Sequence, residues 1–68
     1  MNITHEYDIN KIENDFLEIT FSNESNIKHI DSIKVPRNDN GDIDQVELNN
    51  KIDELVQRVN NKKNFIFQ

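Results

Sequence analysis

Five apolar side chains in the second half of the chain constrain its fold more than any other feature. Leu48, Ile52, Leu55, Val56 and Val59 are spaced i, i+4, i+7, i+8 and i+11, the pattern of one helical face. The spacing predicts a helix over 45–61. Asp44 can serve as N-cap, and Glu47 three residues later completes a capping box. Ile43 and Leu48 then stand at the two positions of a hydrophobic staple. Glu47–Lys51 and Glu54–Arg58 are i,i+4 pairs with the acid first, each worth about 0.2–0.5 kcal/mol. Arg58, Lys62 and Lys63 suit the negative end of the helix dipole. Asn60 and Asn61 can end the helix in place of glycine.

The remainder reads as strands and turns. Residues 36–42, Pro-Arg-Asn-Asp-Asn-Gly-Asp, are a dense cluster of loop formers. Residues 16–22 predict a strand, because Leu17, Ile19 and Phe21 alternate with Glu18, Thr20 and Ser22. A turn over 23–26 follows, then a second strand over 27–35. Ile27, Ile30 and Ile33 are spaced by three, so a β-bulge is expected to shift the register, with a short helix as the competing reading. Phe65, Ile66 and Phe67 predict a short C-terminal strand returning to the hairpin. The first fifteen residues carry two patterns. Ile3, His5, Tyr7 and Ile9 alternate as in a strand. Ile9, Ile12 and Phe16 are spaced as in a helix that Asp8 could cap, and a helical turn or two before the first strand is preferred. No repeat or linker is visible. The expectation is one α+β domain over 1–68: a β-hairpin, one amphipathic helix, a short C-terminal strand and a helical or irregular N-terminal segment.

Several function classes fall away on composition. The chain has 68 residues and no cysteine, which excludes a disulfide scaffold, thiolate metal sites and a cysteine nucleophile. No apolar run approaches the ~18 residues of a membrane span. The N-terminus lacks the basic and apolar regions of a secretory signal, so a cytoplasmic protein is expected. The sequons at Asn2 and Asn23 are then chance matches in a chain with twelve asparagines. Asn, Ile and Lys have A/T-rich codons, and the chain has one Gly, one Pro and no Ala. A low-G+C bacterium or its phage is the simple source of such a composition. The small size, without a disulfide, favours self-association or an obligate partner.

Catalytic and metal-binding patterns are sparse. Ser22, Ser25 and Ser32 lie outside any nucleophile-elbow pattern, and a single glycine cannot build a phosphate-cradling loop. Glu13 and Asp15 form a carboxylate pair, but acid–base work needs a cleft to tune it. An enzyme is therefore not expected, nor is a cofactor. His5 and His29 have no visible ligand constellation. The stretch from Pro36 to Glu47 resembles an EF-hand calcium loop, with Gly41 at position 6. The resemblance places Asn38 at position 3, Asn40 at 5, Asp42 at 7, Ile43 at the apolar 8, Asp44 at 9 and Glu47 at 12. Position 1 is Pro36, which offers no side-chain oxygen. Turn chemistry and a helix cap account for the same residues.

Charge distribution is the more informative feature. The formal net charge is −5. Residues 1–26 hold six acids, Glu6, Asp8, Glu13, Asp15, Glu18 and Glu24, against the single base Lys11; residues 27–68 hold seven of each sign. The whole imbalance lies in the N-terminal segment. Charged residues usually face water, so a merely solvated face is one reading. The other is an acidic surface aimed at a basic protein partner, since complementary potential speeds association and selects partners. The scattered basic residues argue against direct nucleic-acid binding. The expected function is a non-enzymatic protein-binding module. In composition the chain resembles the small acidic inhibitors of phages and mobile elements, a class that includes anti-CRISPR and anti-restriction proteins of the DNA-mimic type. The alternatives are an accessory subunit of a cytoplasmic assembly, bound through the Phe-rich C-terminus, and a degenerate EF-hand-like calcium module.

Overall fold

The computed structural model describes residues 2–67. Three antiparallel strands, β1 (Thr4–Glu6), β2 (Phe16–Ser22) and β3 (Lys28–Lys34), form a sheet in the order β1-β2-β3. Helix α1 (Gln45–Asn61) and the short α2 (Lys63–Ile66) complete the small α+β fold.

Strand β2 is central, pairing with β1 on one side and β3 on the other. Leu17, Ile19 and Phe21 are fully buried on one face, while Phe16 and Glu18 stay exposed on the other. Against them α1 lays Leu48, Ile52, Leu55 and Val59, with Val56 half-buried at the margin. Val35 and Phe67 close the cluster. Burying a side chain of this size contributes about 1.5–3 kcal/mol, so this one cluster carries most of the fold.

The hairpin of β2 and β3 runs in unbroken register from Phe16↔Lys34 to Ser22↔Lys28. The expected bulge is absent, and the three-residue spacing of isoleucines has a different outcome. Ile33 turns towards the core, Ile30 points to the opposite face and is 58% exposed, and Ile27 sits exposed before the strand. Asn23 organises the turn. Its buried Oδ1 accepts the N–H groups of Ser25 (3.0 Å) and Ile27 (2.9 Å), and Asn26 takes a left-handed φ of 60°, which asparagine tolerates.

The capping box is half made. Asp44 Oδ1 accepts the Glu47 N–H at 3.1 Å, but the Asp44 N–H donates to the Pro36 carbonyl at 3.0 Å instead of to Glu47. At its other end α1 stops at Lys62, whose N–H is shared between the carbonyls of Arg58 and Val59. The chain then re-enters helix rather than strand, correcting the expected C-terminal strand. The physical reason is facial. In a strand Phe65 and Phe67 would share a face, but only Phe67 has a core to enter. A helical step of about 200° separates the two rings, burying Phe67 to 4% and leaving Phe65 78% exposed.

The N-terminal segment contains both of its competing patterns in turn. Residues Thr4–Glu6 pair with β2, and Ile9–Lys11 form a single 3-10 turn capped by Asp8, whose carboxylate accepts the Asn10 N–H at 2.9 Å. The preferred helical turn is present, but a strand precedes it.

Candidate functional site

The site arises from a mismatch in strand length. Glu6 pairs with Thr20, and Glu13 next pairs with Phe16. Six residues, 7–12, must therefore span what β2 covers with three, 17–19. The surplus loops away as the 3-10 turn. Asn14 and Asp15, at φ 52° and 64°, then reverse the chain in a two-residue turn that needs positive φ at both positions. Glu13 and Phe16 exchange both backbone bonds across it, at 3.1 and 2.8 Å.

Those two bonds fix the phase of β2. The N–H and C=O of Phe16 point towards the β1 side, so by alternation those of Glu18 do too. Glu18 lies where β1 has departed, and its main-chain groups face the gap. The result is an open cleft of 730 Å³ on the sheet face opposite α1. Glu6, Asp8, Glu13 and Glu18 line it, together with Tyr7, Phe16, Thr20 and Ser32, and among the described residues Lys11 is the single basic one there. Tyr7 and Phe16 are both about half exposed.

Four of the six candidate acids are thus brought to one cleft. The other two are not. Asp15 Oδ1 accepts from Arg37 Nε at 3.0 Å across the base of the hairpin. Glu24 accepts the Asn2 N–H at 2.6 Å beyond the opposite end of the sheet. Sequence reasoning missed Tyr7, Lys11, Phe16, Thr20 and Ser32 as lining residues. The Asn14-Asp15 dipeptide was the signal that could have shown the chain reversing before Phe16, because Asn and Asp tolerate the positive φ that such a turn needs.

The histidines are held in a cross-strand row. His5, Phe21 and His29 are register partners, and the Phe21 ring lies 6.1 and 6.3 Å from the two imidazoles. Phe67 meets His29 edge-on at 6.3 Å, and His29 Nε2 is 3.5 Å from Asp31. An aromatic ring therefore separates the two imidazoles.

The 36–47 loop is a backbone-bonded turn. Asn38 Oδ1 accepts from the N–H groups of Asn40 (3.0 Å) and Asp42 (3.1 Å). Gly41 takes φ +83°, and its carbonyl accepts from Arg37 Nη1 at 2.9 Å. Asp44 is engaged with Glu47, as described above. Of the five loop residues matched to calcium positions, Asn38 and Asp44 thus already direct an oxygen at the backbone. Among the described residues, no group of three or more His, Cys, Asp or Glu side chains is placed to hold a metal ion, and no helix is long and apolar enough to cross a membrane.

No protein-family model matches the chain, and no curated protein or solved structure matches it.

Proposed function

We propose that this protein is a non-enzymatic binding module whose acidic cleft engages a basic surface on a protein partner. The supporting observation is the gathering of Glu6, Asp8, Glu13 and Glu18 around one cleft with Lys11 as the only base. Four carboxylates with one ammonium make a cationic occupant favourable. Tyr7 and Phe16 add half-exposed rings against which an arginine or lysine can lie. In its sharpest form the module is a cytoplasmic inhibitor carried by a phage or mobile element. It would occupy the basic nucleic-acid channel of a host enzyme as a DNA mimic, in the manner of anti-CRISPR and anti-restriction proteins.

Capture from a bacterial lysate tests this reading, with the wild type compared to the triple variant Glu6→Lys, Glu13→Lys, Glu18→Lys. Asp8 and Asp15 are left intact because one caps the 3-10 turn and the other holds Arg37. The expectation is a nucleic-acid enzyme retained by the wild type at low salt. It should be lost from the variant, and lost at about 500 mM salt, where exposed charges are screened beyond about 4 Å. Equal yields of the same proteins from both samples contradict the proposal. The accessory-subunit reading rests on Phe65, 78% exposed beside the buried Phe67. It predicts instead that Phe65→Asp abolishes capture while the triple variant does not.

A further inference from the structure

We infer that β3 is a dimerisation edge, along which two copies of this chain pair antiparallel about a two-fold axis at Ile30. Strand β3 ends the sheet, and its phase is fixed at both ends. The Val35 N–H donates to Asp15 and the Ile27 carbonyl accepts from Asn23, so the odd-numbered residues of β3 bond inwards to β2. The N–H and C=O groups of Lys28, Ile30, Ser32 and Lys34 therefore point out along the free edge. Lys28, Ile30, Ser32 and Lys34 are all exposed, and a 210 Å³ groove lies between Asp31–Lys34 and the α1 residues Lys51, Glu54 and Arg58.

Alternation admits only registers that pair even-numbered residues with even, and charge selects among them. Centring the axis on Asp31 pairs the whole strand but sets Asp31 against its own copy and Lys28 against Lys34. Like charges directly opposite are destabilising, and terminal lysines on an edge strand oppose such full-length pairing. Centring on Ser32 puts Ile30 against Lys34 and Lys28 against Pro36, which lacks a donor. Centring on Ile30 removes each conflict. Ile30 then meets Ile30 of the second copy, covering a side chain that is 58% exposed. His29 lies opposite Asp31 in both halves, Lys28 opposite Ser32, and the exposed Ile27 opposite Ile33. Roughly six new backbone hydrogen bonds form, and the two three-stranded sheets become one of six strands.

The closing experiment is sedimentation equilibrium up to about 1 mM protein, joined to isotope-filtered NMR on a mixed-labelled sample. The expected result is a dimer with an intermolecular Hα–Hα contact between His29 and Asp31, the close non-hydrogen-bonded pair of this register. Ile30→Lys should raise the dimer dissociation constant at least about tenfold, since it sets two ammonium groups against each other at the axis. A monomer throughout that range overturns the inference. So does a dimer whose intermolecular contacts fall on β1 or centre on Asp31 or Ser32, or an Ile30→Lys chain that associates as tightly as the wild type. The NMR pattern of the wild type is decisive even where the variant loses its fold.

Discussion

Asn23 and Asp44 each put one side-chain oxygen on backbone N–H groups that have no partner within the strand or helix they flank. Asn23 is buried, and its Oδ1 accepts two bonds that shape the β2–β3 turn. Asn23→Ala leaves the N–H groups of Ser25 and Ile27 without that acceptor and should cost about 1–3 kcal/mol, read as a lower urea midpoint at unchanged slope. Asp44→Ala removes the acceptor for Glu47 and should cost about 0.5–2 kcal/mol. Asp42→Ala should cost less, because no side-chain acceptor role at a helix end is lost with it. A larger loss at Asp42 than at Asp44 would mean that α1 begins earlier in solution. The cap at Asp44 was legible because its partner lies three residues away. The other half of the capping box was not, since the Pro36 carbonyl that takes the Asp44 N–H belongs to a loop path no local pattern encodes.

At the scale of elements, legibility followed the strength of periodicity. Helix α1 repeats its apolar pattern over about three turns, and β2 alternates from Leu17 to Ser22; both could be read residue by residue. Strand β3 could be placed but not phased, because its isoleucines are spaced by three. Only pairing with β2 decides that Ile33 faces the core and Ile30 faces water. The C-terminal segment is too short for any period. Whether Phe65 and Phe67 share a face depends on the space left beside His29 and the core, a tertiary matter. The helical outcome makes a sharp prediction. Phe67→Ala should destabilise by about 3–5 kcal/mol, as for a buried ring, whereas Phe65→Ala should change thermal stability by no more than about 0.5 kcal/mol. Equal losses at both positions would instead indicate a strand with both rings on one face. The cleft was half legible. Charge counting found its four acids, but no count reveals that residues 7–12 leave the sheet, and so none brings Tyr7 and Phe16 to the same place.

The whole molecule is elongated. Its radius of gyration is 13.0 Å, against about 11 Å for a compact chain of this length. A single layer of helix covers one sheet face, and the other face carries the cleft. Four carboxylates and one ammonium give that cleft a formal charge of −3, out of −5 for the chain. If two copies join along β3, both clefts lie on the same face of the six-stranded sheet, with the two β2 strands about 14 Å apart at ordinary strand spacing. A partner with an extended basic surface could then engage both at once.

Recognition of positive charge by the cleft can be read out by titration. The protein is followed by backbone amide NMR as a short peptide rich in arginine and lysine is added at low salt. Saturable shifts concentrated at Glu6, Tyr7, Glu13, Phe16 and Glu18 are expected. They should be abolished in the Glu6→Lys, Glu13→Lys, Glu18→Lys protein and weakened at least about tenfold by salt that screens exposed charges. Shifts scattered equally over α1 and the 36–47 loop, or a response unchanged in the charge-reversed protein, would contradict it.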